Sequence, residues 1–174
     1  MTQPLYTVKQ LAYVIRDMEP ALKYWTEVLK VGPFFMFEHI QLENQRYRGG
    51  ESNVDLSVAL GNSGDVQIEL ILCENDEPSV YKEFLDAGKT GVHHFGMMPE
   101  NYKKSCDEYI ALGHEAAFEC TIGGAPLVYF DTVDTVGHFI ELWDNNEVFL
   151  NLFSLVENAA IRWDGSDPVR PGPL

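Results

Sequence analysis

The stretch VQIELIL, Val66–Leu72, ends a run of three strand-like segments, and its Ile-Glu-Leu core returns near the other end of the chain in HFIELWD, His138–Asp144. Apolar and β-branched residues around a single charge are typical of a strand. Taken alone, a glutamate in such a strand usually faces water. Its recurrence at Glu69 and Glu141, however, predicts that the two strands are equivalent parts of an internal repeat.

The residues that precede Val66–Leu72 predict the order β-α-β-β-β. Val8–Ile15 (VKQLAYVI) has the pattern of a strand, and Asp17 is a suitable N-cap for the helix that follows. Gly32-Pro33 ends this amphipathic segment. The turn residues of RYRGGESN and GNSGD separate the later strands, which we expect at residues 34–42, 54–60 and 66–72.

The same order of elements returns in the second half. VHHFGMM predicts a strand, PENYKKSCDEYIALG a helix, and EAAFECTI, PLVYFDT and HFIELWD three more strands. Gln10 and His94 lie at corresponding points, each seven residues before the start of its helix. We therefore divide the chain into a first module (1–75), a linker helix (76–91), a second module (92–145), and a C-terminal helix with a Pro- and Gly-rich tail (146–174).

Composition restricts the partners and the location. The 174 residues carry a formal net charge of −15 and only 12 Lys and Arg, which disfavours nucleic acid and anionic membranes as partners. The N-terminus lacks the pattern of a signal peptide, and no apolar run approaches the ~20 residues of a membrane span. Three cysteines without metal-site spacing predict reduced thiols, so we expect a cytoplasmic protein.

The tandem β-α-β-β-β order resembles the vicinal oxygen chelate superfamily, which includes glyoxalase I, methylmalonyl-CoA epimerase, extradiol dioxygenases and the bleomycin- and fosfomycin-resistance proteins. The resemblance implies an α+β fold with a curved mixed sheet in each half, the two sheets facing each other around a central cavity. It also implies a metal site formed by the first and last strand of each half. The corresponding residues of this chain are Gln10, Glu69, His94 and Glu141.

The chemistry of these four side chains agrees with that implication. Two carboxylates, an imidazole and an amide oxygen suit one divalent ion, Zn²⁺, Ni²⁺, Co²⁺, Mn²⁺ or Mg²⁺. The family often has His at the first position, and Gln10 instead resembles eukaryotic-type glyoxalase I. Gln10 also fits poorly with the two-His, one-carboxylate iron site of oxygenases. Strand alternation implies that His94 points to the metal while His93 points away, at most near the cavity mouth.

The resemblance also implies roles in catalysis and substrate binding. In glyoxalase-like enzymes a ligand glutamate can act as the base, so Glu141 is the first candidate and Glu69 the second. Five further residues are candidates for contact with the substrate, although the first two are equally compatible with a solvated hairpin: Tyr47, Arg48, His93, Phe130 and Trp143.

These features favour an isomerase, epimerase or lyase that transfers a proton next to the carbonyl of a small aromatic or hydrophobic molecule. Glutathione and CoA thioesters are disfavoured because few basic residues are present. One alternative is a non-catalytic binding protein of the drug-resistance type, and another is an extradiol-type dioxygenase. We also expect a homodimer. The final helix, with an apolar stripe that includes Phe149 and Val156, is expected to cap the sheet, to form a dimer contact or to act as a lid.

Overall fold

The computed structural model describes residues 7–173. Within that range, eleven strands form one large curved mixed sheet, and short helices pack on it. This confirms the predicted α+β class. In the same range, no helix combines the length and the apolar character needed to cross a membrane.

The first half follows the predicted order, with an additional hairpin inserted after its second strand. Asp17 caps the first helix as predicted, because its side chain accepts a hydrogen bond from the amide of Glu19. The elements are β1 (Val8–Ile15), α1 (Met18–Lys23, continued by a π-helical turn over Tyr24–Val28), β2 (Phe34–Phe37), β3 (Glu43–Tyr47), β4 (Gly50–Glu51), β5 (Leu56–Ser63) and β6 (Val66–Cys73).

The second half repeats the order after a connecting helix and ends with a longer helix. The elements are α2 (Val80–Asp86), β7 (Gly91–Met97), α3 (Tyr102–Ala111), β8 (Ala116–Ile122), β9 (Ala125–Phe130), α4 (Val133–Val136), β10 (Phe139–Trp143), α5 (Glu147–Ala160) and β11 (Val169–Pro171). The Pro- and Gly-rich tail contains β11, which pairs in parallel with β2.

The strand order is β11-β2-β5-β6-β1-β7-β10-β9-β8-β3-β4. In each half the first strand pairs in parallel with the last, β1 with β6 and β7 with β10. The halves join through the antiparallel pair β1–β7. The four strands that carry the predicted ligands are therefore neighbours at the centre of the sheet.

The segment between β2 and β5 differs from the prediction. A strand was expected over residues 34–42 and a turn over residues 46–53. Instead β2 ends at Phe37, and His39 takes a positive φ of 51°, which ends the extended conformation. Arg46 and Tyr47 then pair with β8 of the other half. This partner lies more than 70 residues away along the chain, so the local sequence does not indicate it.

The concave side of the sheet is covered by α5. Asn146 caps this helix by accepting hydrogen bonds from the amides of Val148 and Phe149. Phe149 and Val156 are buried against the main apolar cluster, while Leu152 and Phe153 pack at its edge. Of the three roles considered for this helix, the structure supports that of a cap over the sheet.

Candidate metal centre and cavity

Side chains from four adjacent strands meet on the concave face of the sheet. Gln10 lies on β1, Glu69 on β6, His94 on β7 and Glu141 on β10. Ala12 of β1 lies between Glu69 and His94 in register. Because side chains alternate along a strand, these positions share one face. The repeat noted in the sequence thus corresponds to a real convergence of side chains.

The imidazole of His94 lies between the two carboxylates. Its Nε2 atom is 3.3 Å from Oε2 of Glu69 and 3.1 Å from Oε2 of Glu141, and the three atoms lie within 4.8 Å of one another. Gln10 lines the same cavity, and its Nε2 donates a 2.7 Å hydrogen bond to Oε1 of Gln67. The structure therefore places three of the four candidate ligands in the cavity wall, and His94 in contact with two of them.

One buried atom of each candidate ligand has no hydrogen-bond partner among the described residues, and His94 meets the two carboxylates only in contacts of ion-pair type. The four orphan atoms are Oε1 of Gln10, Oε2 of Glu69, Nε2 of His94 and Oε2 of Glu141. Leaving a buried polar atom unsatisfied costs roughly 1–3 kcal/mol, and more for a charged group. Three oxygens and one imidazole nitrogen in this state are the donor set that a divalent cation requires, so the residues fit a metal ion.

Electrostatics supports the same interpretation. Burial raises the pKa of Glu69, although the nearby imidazole of His94 opposes this. Burial disfavours the charged form of His94, but the carboxylates of Glu141 and Glu69 outweigh it and raise the pKa of His94 to about 9. The two carboxylates thus favour a positive charge at this point, which either a proton on His94 or a metal ion provides.

His93 does not occupy the position expected from alternation. The register of β7 against β1 shifts between Ala12 and Tyr13, so His93 is the extra residue of a β-bulge. Both His93 and His94 are fully buried, and their Nδ1 atoms lie 3.0 Å apart. The expectation that His93 stands near the cavity mouth is therefore wrong, and its partners are internal.

Among the other substrate candidates, Trp143 lines the cavity. Its indole ring lies flat on β7 because Gly96 has no side chain: a Cβ there would be 2.0 Å from Cη2 of the ring. Phe130 does not line the cavity, contrary to the prediction. It lies on the opposite face of β9, where its ring stacks on that of Tyr109 with the ring centroids 4.8 Å apart. Alternation along β9 explains this, since the neighbouring Tyr129 points into the cavity.

Tyr47 and Arg48, also predicted to contact substrate, lie away from the cavity. Tyr47 donates a 2.5 Å hydrogen bond to Glu83, and Arg48 forms ion pairs with Glu83, Asp131 and Glu115. Because three carboxylates bind its guanidinium group, Arg48 is part of this network rather than of a substrate site. The network connects the β3–β4 hairpin to the linker helix and to the second half. The structure therefore supports the hairpin interpretation of this segment.

The cavity includes residues that sequence reasoning missed. The hydroxyl of Tyr81 donates a 2.8 Å hydrogen bond to that of Tyr129, and Gln67 presents a buried Nε2 atom without a partner in the described chain. Gln67 could have been found, because it lies two residues before Glu69 and so shares its face. Tyr81 lies on the linker helix, and nothing in the local sequence indicates that it reaches the cavity.

The remaining wall of the cavity is apolar. β5, β8, β9 and α5 contribute aliphatic and aromatic side chains, and no Lys or Arg of residues 7–173 lines it. Its volume is about 60 Å³, which is room for roughly four to six water molecules. Such a lining favours a small, uncharged ligand.

Solved structures share this architecture. A hypothetical protein of Bacillus halodurans C-125 aligns with a TM-score of 0.58 at 15% identity, covering 82% of this chain and 96% of its own. Methylmalonyl-CoA epimerase from Mycobacterium tuberculosis aligns with a TM-score of 0.55 at 15% identity, covering 87% and 96%. A Streptomyces coelicolor methylmalonyl-CoA epimerase variant in complex with 2-nitronate-propionyl-CoA gives 0.52 at 17%, covering 80% and 97%. At these identities the likeness is one of fold.

Sequence comparison provides the family. No curated protein sequence matches the chain significantly. The family model of the Glyoxalase/Bleomycin resistance protein/Dioxygenase superfamily, however, matches residues 9–127, which include three of the four candidate ligands. Together with the repeat and the fold, this match shows that the chain belongs to the glyoxalase/bleomycin resistance protein/dioxygenase superfamily.

Proposed function

We propose that the protein is a metal-dependent isomerase, epimerase or lyase that transfers a proton at a carbon next to a carbonyl group of a small, uncharged, apolar substrate. The observation that carries this proposal is the buried group of Glu69, His94 and Glu141, whose facing atoms lie within 4.8 Å of one another and whose two carboxylates line an apolar cavity. A divalent cation bound there, with Gln10 as the fourth ligand, would polarise the carbonyl group and acidify the adjacent C–H.

Glu141 is the proposed general base. Its Oε2 atom is buried, Glu141 lines the cavity, and a cation that displaces the proton of His94 would leave this carboxylate able to accept a proton from the substrate carbon. Returning that proton to the same or a neighbouring carbon completes an epimerisation or an isomerisation. Glu69 is the second candidate, because burial raises its pKa towards working pH.

The tyrosine pair would stabilise charge on the substrate. The hydroxyl of Tyr129 accepts a hydrogen bond from Tyr81, which leaves its own proton available for donation into the cavity. A neutral donor in an apolar cavity can stabilise the negative charge that develops on a carbonyl oxygen when the neighbouring carbon loses its proton. Tyr129 thus supplies stabilisation without a cationic side chain.

The lining of the cavity supports an uncharged substrate. A CoA thioester carries several negative charges, and no Lys or Arg within the described lining would compensate them. The cavity, with a volume of about 60 Å³, is also small. Small ketones and α-hydroxyketones with aromatic or aliphatic substituents are therefore the first compounds to test.

The test is exchange of the substrate's α-hydrogen in D₂O, followed by NMR, with metal-loaded protein and a panel of such ketones and thioesters. Wild type should exchange at least one compound. Glu141→Gln should be slower by about 10²–10⁴, because an amide cannot accept the proton although its oxygen can still coordinate a cation. Glu119→Gln is the matched control, since Glu119 is exposed on β8, and should exchange like wild type.

The other outcomes separate the alternatives. Exchange by Glu141→Gln at the wild-type rate would exclude Glu141 as the base and transfer the role to Glu69. Tight binding of a compound without exchange in wild type would instead favour the drug-resistance type of binding protein, which the apolar cavity also suits. Consumption of O₂ with a catechol substrate would favour the dioxygenase.

A further inference from the structure

His93 is a fully buried histidine outside the set of four candidate ligands. Its ring stacks on Tyr81 at 5.1 Å and lies against Phe84 and Phe139. Its two hydrogen bonds within the described residues go to a carbonyl oxygen and an imidazole: Nε2 is 3.1 Å from the carbonyl oxygen of Val80, and Nδ1 is 3.0 Å from Nδ1 of His94. A ring enclosed by aromatic side chains without a bonded carboxylate is neutral, because an unpaired charge is very costly to bury.

These two contacts determine which nitrogen of each ring carries a proton. The Val80 carbonyl can only accept, so Nε2 of His93 is the donor. A neutral imidazole has one N–H, and Nδ1 of His93 is therefore an acceptor. The atom facing it, Nδ1 of His94, must then donate. In the neutral ring, a proton fixed on Nδ1 leaves the lone pair of His94 on Nε2, which is the atom that faces Glu69 and Glu141.

We propose that His93 is a positioning residue: it accepts a hydrogen bond from Nδ1 of His94 and so directs the Nε2 lone pair of His94 to a divalent cation. The inference rests on the proposed metal-dependent function. It also explains the β-bulge, because only the extra residue allows two consecutive side chains of β7 to meet on the same side of the sheet. The chain of hydrogen bonds starts at Val80 on α2, so the linker helix takes part in orienting the ligand.

Two substitutions separate positioning from packing. His93→Phe keeps an aromatic ring between Tyr81 and Phe139 but removes the acceptor. His93→Asn loses the ring but places a carbonyl oxygen near the former Nδ1 atom. His114→Phe is the control, since His114 bonds to the carbonyl of Asp131 away from the cavity. Folding of each variant is checked by circular dichroism, and Zn²⁺ and Mn²⁺ affinities are measured by calorimetry.

We expect His93→Phe to bind the cations about 10–100-fold more weakly than wild type, as for other residues that orient a ligating histidine. His93→Asn should recover part of this loss, and His114→Phe should bind like wild type. In ¹⁵N-histidine NMR spectra, wild type should show a slowly exchanging proton on Nδ1 of His94, and His93→Phe should not.

Equal affinities of wild type and His93→Phe, with unchanged His94 signals, would overturn the inference and leave His93 as a packing residue. A wild-type spectrum in which His94 carries its proton only on Nε2 would also overturn the inference. This measurement needs no variant, so it can be made even if His93→Phe does not fold. If wild type binds neither cation, the proposed function fails, while the Nδ1 proton of His94 in wild type and His93→Phe still decides the role of His93.

Discussion

At the scale of single residues, the candidate centre depends on which atom each ligand presents. A glutamine can offer an oxygen or an amide nitrogen, and only the oxygen binds a cation. Gln67 removes this ambiguity, because it accepts a hydrogen bond from Nε2 of Gln10 and leaves Oε1 of Gln10 free. Under the inference above, His93 has the same effect on His94. Gln67, and on this inference His93, would thus orient two of the four candidate ligands.

The pH dependence of metal binding tests the electrostatics of His94. Below its pKa of about 9 a cation must displace a proton from the ring, so the apparent affinity for Mn²⁺ should rise about tenfold per pH unit between pH 6 and 8. Calorimetry in two buffers of different ionisation enthalpy would measure both the affinity and the released proton. An affinity that does not change between pH 6 and 8 would contradict the prediction.

The metal-free protein should respond to pH in the opposite direction. A folded-state pKa that is raised above the unfolded value stabilises the fold below the unfolded pKa. For His94 this contribution is lost as the pH rises through about 9. Metal-free protein should therefore have a lower free energy of unfolding at pH 10 than at pH 7, as measured by urea denaturation at the two pH values. Metal-loaded protein should lose less stability over this interval, because the cation replaces the proton.

The convergence of the four candidate ligands could be predicted from the sequence because it follows from symmetry between the halves. Glu69 and Glu141 lie in the middle of equivalent strands, and alternation along a strand fixes the face of each side chain. Contacts across the sheet were not predictable in this way. Arg48 belongs to an ion-pair network whose members, Glu83 and Asp131, come from distant segments. The sequence contains no local signal for such partners.

At the scale of elements, the two departures from the expected pattern have different physical causes. The bulge in β7 results from a shift of register against β1, and it places His93 where alternation does not. The β3–β4 hairpin is stabilised by pairing with β8, although its residues are rich in Gly and polar side chains. In both cases tertiary pairing outweighs the local preference.

The helix α5 provides a test of the cavity wall. Leu152 lines the cavity, whereas Leu150 on the same helix is 45% exposed. Leu152→Ala should lower the free energy of unfolding by about 2 kcal/mol, the low end of the range for this substitution because Leu152 is only partly buried. Leu150→Ala should change it by about 0.5 kcal/mol or less. Urea denaturation of the two variants measures both effects.

An equal loss of stability in the two leucine variants would mean that the cavity-facing side of α5 contributes no more to stability than its exposed side. Leu152→Ala should also accept a bulkier ketone than wild type does, since it enlarges the cavity on the side of the helix. This second measurement separates a wall residue from one that only stabilises the helix.

At the scale of the whole molecule, the centre joins the two halves. Gln10 and Glu69 come from the first half, and His94 and Glu141 from the second, with the β1–β7 pair between them. The division into modules and the homodimer stay predictions. The location of the centre at the junction nevertheless has a thermodynamic consequence, because a cation that contacts both halves stabilises their association in the folded state.

Addition of a divalent cation should therefore raise the melting temperature. A ligand that binds only the folded state at 100 times its Kd stabilises by about 2.7 kcal/mol, which for a domain of this size corresponds to about 5–10 °C. The measurement is thermal unfolding by circular dichroism with and without Mn²⁺, and with EDTA as the reversal.

Replacing one candidate ligand from each half, in the variant Glu69→Gln/Glu141→Gln, should abolish most of the shift, because an amide carries no charge to balance the cation. Glu119→Gln, which changes an exposed carboxylate on β8, should keep the full shift. If the double variant is stabilised as much as wild type, the cation binds elsewhere on this acidic protein, and the centre between the halves is not its site.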